Sequence, residues 1–210
     1  MRKTLLGLIH VAALVLALAA PAIAQDRQDR VVIAGAADVV GLNGIDVIVL
    51  SPDRFLMDHI GDTLLRWEKP GQLGPGLALT WKNIDPVTWE LTLRKGVKFH
   101  NGQDMTAADV AYSIGVGMDE KTGSPWRSLL TPIKSIDVKD PFTVQITLSV
   151  AYPGLLGAFS VLRNSAIVPK DWYKTDTAKL QAVGTGPFKL GEFTPSDHLT
   201  YQKFTDYWDK

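Results

Sequence analysis

Few side chains in this sequence are suited to chemistry, and they are scattered. Histidines stand at positions 10, 59, 100 and 198, and there is no cysteine. The lack of cysteine excludes thiol catalysis, thiolate zinc sites and disulfides. Ser196-Asp197-His198 gathers the residue types of an acyl-transfer triad. A triad is a geometry between segments, however, and adjacency does not supply it. The run reads as a hairpin loop. His59 follows Asp58 and reads as the polar face of a helix; His100 precedes Asn101-Gly102 and reads as turn surface. Gly184-Thr185-Gly186-Pro187 invites an anion-binding reading, but Pro187 removes a backbone donor and a strand follows instead of a helix. It reads as a turn. Gly115-Val116-Gly117 reads as the loose end of a helix. No Gly-x-Ser-x-Gly elbow, His-Glu-x-x-His pair, phosphate loop or dinucleotide fingerprint occurs. What remains is recognition. Trp126, in the loop Gly123-Ser124-Pro125-Trp126, offers a large aromatic surface with few rotors, which suits a binding cleft. The alternative is that it pins the loop onto Leu129 and Leu130.

The elements that would position these residues centre on 85–118. Trp89, Leu91 and Leu93 alternate with Thr88, Glu90, Thr92 and Arg94, the period-two pattern of a strand with one apolar face. Lys95-Gly96 punctuates it, and Val97 and Phe99 predict a second short strand. Asn101-Gly102 predicts a tight turn. Thr106-Ala-Ala-Asp109 is a capping-box variant, and Val110, Ile114 and Met118 then recur at helical spacing. Before this unit, Ser51-Pro52-Asp53 predicts a helix through about Trp67, with Phe55, Ile60, Leu64 and Leu65 inward. A Pro/Gly loop over 68–76 and a short extended run over 77–81 follow. After it, Ile133, Ile136 and Val138, then Phe142, Val144, Ile146 and Leu148, flank Lys139-Asp140-Pro141 and predict a hairpin. Pro153 opens a helix carrying Leu155, Leu156 and Phe159. Ala166–Val168 predicts a brief strand, and 188–190 with 199–204 a last hairpin.

The N-terminus reads differently. Arg2-Lys3, an apolar run from Leu5 to Ala20 and the small-x-small Ala22-Ile23-Ala24 predict a signal peptide over 1–24, cleaved before Gln25. The run is short for a membrane span. Two basic residues leave with it, so 22 acidic groups face 20 basic ones in the remaining 186 residues. With no basic excess, nucleic acid is not an expected partner.

Several of these stretches carry a resemblance. Trp89-Glu-Leu-Thr-Leu-Arg-Lys-Gly-Val-Lys-Phe-His-Asn-Gly102 with Thr106-Ala-Ala-Asp-Val110 resembles the peptide/nickel class (family 5) of extracytoplasmic solute-binding proteins, the receptors of ABC importers. So do Asp62-Thr-Leu-Leu-Arg-Trp-Glu68, Pro75-Gly-Leu-Ala-Leu-Thr-Trp81, Gly184-Thr-Gly-Pro-Phe-Lys-Leu190 and Asp206-Tyr-Trp208, in the family's order. One departure is Leu42-Asn43-Gly44-Ile45-Asp46, where the family has a Leu-Asp-Pro-like step.

The resemblance implies a mixed α/β fold, part of a two-lobed type II-like periplasmic binding protein with an inserted small second domain. Residues 25–50 and 180–210 would form a partial first lobe, and 51–179 the inserted domain. Family chains are longer, so the sequence is expected to be truncated before the opposing lobe. The implied function is solute binding without catalysis or cofactor, in the periplasm, as a monomer. The implied partners are a small peptide or similar solute and the permease subunits of an ABC transporter. An inactive fragment, a receptor for nickel or another small solute, and, last, a periplasmic hydrolase are the alternatives. Trp126 is the leading ligand contact, because the family's corresponding loop can present an aromatic to ligand; Ser51, near the tip of the first-lobe segment, is the second.

Overall fold

A computed structural model describes residues 58–124, 127–161, 167–175 and 181–209. The expected signal peptide, the strand expected at Val31–Ala34, Ser51 and Trp126 lie outside these residues.

The centre is a four-stranded antiparallel sheet. Its strands are β3 (Ala78–Asp85), β4 (Thr88–Leu93), β5 (Ile133–Asp140) and β6 (Thr143–Leu148), in the order β3-β4-β6-β5. Register follows the alternation of the sequence. Leu91 lies opposite Val144 and Trp89 opposite Ile146, so the apolar side chains of neighbouring strands share one face. Ile136 continues that face opposite Ile146. The other face carries Thr92 opposite Thr143 and Glu90 opposite Gln145, with Lys82 paired to Glu90 at 2.7 Å.

Helix α1 (Ala107–Met118) covers the apolar face. The capping box expected from Thr106 and Asp109 is formed: Asp109 Oδ2 accepts from Thr106 N at 2.7 Å and from its hydroxyl at 2.8 Å. Val110 and Ile114 are buried with Leu91, Leu93, Val144 and Ile146 in one core, which Phe99, Leu130, Leu155 and Phe159 complete. Short helices α2 (Arg127–Leu130) and α3 (Leu155–Ala158) close its ends.

Two elements differ from the sequence expectation. The helix expected to run to Trp67 stops at Ile60, and Leu65–Lys69 is a strand, β1, paired with β2 (Gln72–Pro75). The reason is tertiary. The carbonyls of Thr63 and Leu64 accept from Leu77, Gly76 and Ala78, and Leu65 N donates to Phe159 O. Those groups are therefore not available to a helix ladder. The expected Pro/Gly loop is the tip of this hairpin, with Gly71 at φ +80°. The second difference concerns Val97–Phe99 and Ile167–Val168, both buried but neither a strand. The first makes a single bridge, Lys98 to Asp104. Val168 is instead fastened to α1 by Ser113, whose hydroxyl accepts from Val168 N at 3.0 Å.

The last hairpin forms as expected, from β7 (Phe188–Thr194) and β8 (His198–Lys203). Its partly buried face, including Leu190, Phe193, Leu199 and Tyr201, packs on Ile60 and Ala182.

Candidate functional site

Two polar constellations stand out among the described residues. The first is built around Asp62. Its carboxylate accepts from Trp208 Nε1 at 2.8 Å, from the Thr185 hydroxyl at 3.1 Å and from the Tyr207 hydroxyl at 3.2 Å. Two segments far from it in sequence, Thr185 and Tyr207-Trp208, thus converge on one side chain. Burial pushes the Asp62 carboxyl above its ordinary range, although all three hydrogen bonds and nearby Arg66 pull the other way. Burial, with the Asp62 charge, also pushes the Tyr207 phenol up. Two guanidiniums lie over the Trp208 ring, Arg94 at 4.1 Å and Arg66 at 5.7 Å from its centroid. Arg66 also pairs with Asp209 at 2.7 Å. A recess of about 290 Å³ opens beside this junction, bordered by Asp58, Asp62, Arg66, Ser160 and Trp208.

The second constellation lies on the other side of Thr185. The Gly184-Thr185-Gly186 turn presses its backbone onto Ile60: a Cβ on Gly184 would sit 2.3 Å from Ile60 O, and Gly186 N donates to the same oxygen at 2.8 Å. Only glycine permits this approach at both positions. Thr185 between them is fully buried. His100 grips the turn from its own side. Its backbone N–H donates to Gly184 O at 3.0 Å, Nε2 lies 3.0 Å from Gly186 O, and Gly184 N donates to Nδ1 at 3.4 Å. The ring meets Phe204 edge-on at 5.0 Å. The expectation that His100 is turn surface is therefore corrected. It is a half-buried fastener, and burial pushes its pKa below the ordinary histidine value.

The other sequence candidates resolve plainly. His198 sits at the tip of the last hairpin, with Nδ1 3.0 Å from Asp197 Oδ2 and Nε2 3.6 Å from Glu192. It is the exposed hairpin residue that the sequence suggests, and its carboxylate neighbours raise its pKa. His59 packs among aromatic rings, 5.3 Å from Tyr201 and 5.9 Å from Phe188, a setting its helix-face reading did not include.

Trp126 and Ser51 lie outside the described residues, but the base of the Trp126 loop is described. The last carbonyls of α1 lack helical partners. Val116 O accepts from the Thr122 hydroxyl at 3.0 Å and Met118 O from Arg127 Nε at 3.0 Å. Asp119 caps the turn 120–122 through Lys121 N, and Gly123 takes φ +63°. Both ends of the loop are thus tied to the end of one helix. Among the described residues no group of three or more His, Cys, Asp or Glu side chains could hold a metal ion, and no helix is long and apolar enough to cross a membrane.

Known proteins place this arrangement in a class. Residues 72–210 match the family described as bacterial extracellular solute-binding proteins, family 5 middle. The fold is similar to the mannopinic-acid complex of the periplasmic binding protein MoaA from A. tumefaciens R10, with TM-score 0.75 and 30% identity over 81% of this chain and 36% of that one. The chain is 26% identical to the nickel-binding periplasmic protein of Escherichia coli K12 over 99% of its own length, and 27% identical to that organism's periplasmic oligopeptide-binding protein OppA over 90%. The chain spans about two fifths of the length of both, 39% and 40%. It belongs to the family 5 bacterial extracellular solute-binding proteins, and its mixed α/β fold is part of their two-lobed architecture.

Proposed function

We propose that this chain acts as the periplasmic solute receptor of an ABC importer and that its solutes are peptides. The observation that carries the reading is the match of residues 72–210 to the family 5 solute-binding proteins. The relative OppA, similar over 90% of this chain, is named for oligopeptide binding, and this supports peptides as the class. On this reading the chain enters the periplasm by cleavage before Gln25, works without a cofactor and does not turn its solute over. The inserted domain is 51–179, and 25–50 with 180–210 form the first lobe. Trp126 meets the solute, with Ser51 a second contact. The anchoring of the flanking residues on either side, Thr122 and Arg127, to the end of α1 supports this role, since preorganisation lowers the entropy lost on binding.

The test uses a chimaera in which residues 25–210 replace the matching part of OppA. Calorimetry with di- to pentapeptides should give saturable binding. Trp126→Ala should weaken it by roughly tenfold or more, the effect of losing one buried aromatic contact. Unchanged affinity would make Trp126 a loop staple. Saturable binding of Ni²⁺ or glutathione in place of peptide would overturn the solute class. N-terminal sequencing of exported material checks Gln25, and an intact Met1 would refute cleavage there.

A further inference from the structure

The Gly184–Gly186 turn is held by groups that depend on proton occupancy. Gly184 N–H donates to His100 Nδ1, so that nitrogen must be bare; Gly186 O accepts at Nε2, so that nitrogen must carry the hydrogen. Only one state of the ring, the neutral Nε2–H tautomer, makes both contacts. A second proton on Nδ1 would face the Gly184 N–H directly, donor against donor, in a half-buried site. We propose that His100 is an acid-weakened latch: its neutral ring accepts from Gly184 N–H at Nδ1, and protonation breaks that contact while Nε2–H to Gly186 O and the backbone bond from His100 N–H to Gly184 O remain.

The surroundings favour this sense of switching. Lys189, on β7, is the charged group that acts on the ring, and its positive charge opposes a second one. Phe204 covers the ring edge-on and offers no carboxylate to stabilise an imidazolium. On its own turn the nearest charges, Lys98 and Asp104, are paired with each other at 2.8 Å, and Asp206 acts on Lys98. Across the turn Asp62 holds Thr185. Its pKa is raised, so acid converts it to a form that still accepts from Thr185. The far side of the turn therefore stays attached while the Gly184 N–H loses its acceptor on the His100 side. Acid would loosen the turn at the Gly184 N–H only, without unfolding the Asp62 junction. The inference does not depend on which solute is bound.

The experiment is amide hydrogen exchange on the full chain at pH 7.5 and pH 5.0, corrected for the intrinsic pH dependence of exchange. Protection of Gly184 should fall by roughly tenfold at the lower pH, as for loss of one buried hydrogen bond to a neighbour that has become charged, while Gly186, whose N–H donates to Ile60 O, should keep its protection. Amides of α1 should keep theirs. His100→Gln is the matched variant: its amide oxygen can accept from Gly184 N–H and its NH₂ can donate to Gly186 O, with nothing to titrate. It should hold the turn equally at both pH values. Should that variant fail to fold, ring nitrogen shifts of the wild type decide. They should report the Nε2–H tautomer at pH 7.5, with a titration midpoint equal to that of the Gly184 protection loss. Wild-type protection that does not change with pH, an acid response that persists in the glutamine variant, or unequal midpoints would each overturn the latch.

Discussion

Replacing Asp62 by alanine tests whether the carboxylate junction holds the fold or only decorates it. The substitution removes the acceptor of three donors, the Thr185 hydroxyl, Tyr207 hydroxyl and Trp208 indole N–H. Thr185 is fully buried and cannot find water, so its unmet hydroxyl costs about 2 kcal/mol. Tyr207 and Trp208 are half-buried and can rehydrate, so each costs roughly 0.5 kcal/mol. Removing a carboxylate whose charge burial disfavours returns part of this. The expected loss is about 2–3 kcal/mol, or about 5–10 °C in melting temperature for a chain of this size. Urea unfolding followed by far-UV circular dichroism measures it. Asp62→Asn keeps one acceptor oxygen and should lose about half as much. The sign of its pH dependence also follows. The folded pKa of Asp62 lies above the unfolded one, so the folded wild type binds the proton first and gains stability as pH falls through the window above 3.8. The asparagine variant lacks that gain, and its deficit against wild type should widen on acidification. A loss below about 0.5 kcal/mol for the alanine variant, within the scatter of surface substitutions, would refute the junction's role.

Other outcomes follow from the same packing. Asp109→Ala removes the cap on α1 and the partner of Lys170 N, which donates to its Oδ1 at 2.7 Å; thermal melts should show a loss of about 2–3 kcal/mol. Gly184→Ala drives a Cβ into Ile60 O and should destabilise by about 3 kcal/mol or more, whereas Gly115→Ala, open inside α1, should stabilise by up to about 1 kcal/mol. Differential scanning calorimetry of the pair distinguishes an aversion to any added methyl from the close approach seen here. His100 supplies a pH dependence opposite to that of Asp62. Its folded pKa is depressed, so its contribution is present above pH 6.5 and declines as pH falls below that value. Stability profiles of wild type and His100→Gln, compared from pH 8 to pH 5, should diverge in that sense.

The unit over 85–118 was legible because its determinants are local. Period-two alternation fixed β4, and a Thr and an Asp three residues apart fixed the start of α1. The hairpin over 133–148 was legible for the same reason. Leu64 and Leu65 misled because an apolar pair after Ile60 fits a helix face as well as the start of a strand. What decides is the use of the Thr63 and Leu64 carbonyls by residues 76–78, which no window around Leu65 contains. The Asp62 junction was illegible in the same way. Its motifs, Asp62-Thr63-Leu64 and Tyr207-Trp208, were both visible, but nothing in either says that one accepts from the other. His100 was missed as a fastener because Asn101-Gly102 truthfully marks a turn, and turns usually face water. The pair of glycines flanking a small hydroxyl residue at 184–186 was the available signal: such spacing asks for close backbone approach on both sides.

The junction also bears on the order of assembly. Asp62 and Trp208 are separated by 146 residues, whereas β5 and β6 meet across a two-residue turn. Closing the longer loop costs more entropy and comes after the hairpins that shorten it. In a chain that emerges from its N-terminus, Asp62 stays an ordinary solvated carboxylate until Trp208 arrives. The contacts it then makes are late ones, absent when the central sheet crosses its barrier. Changes at Asp62 or Trp208 should therefore leave the refolding rate nearly unaltered and quicken unfolding, so the junction governs the lifetime of the native state and the sheet governs how fast it is reached.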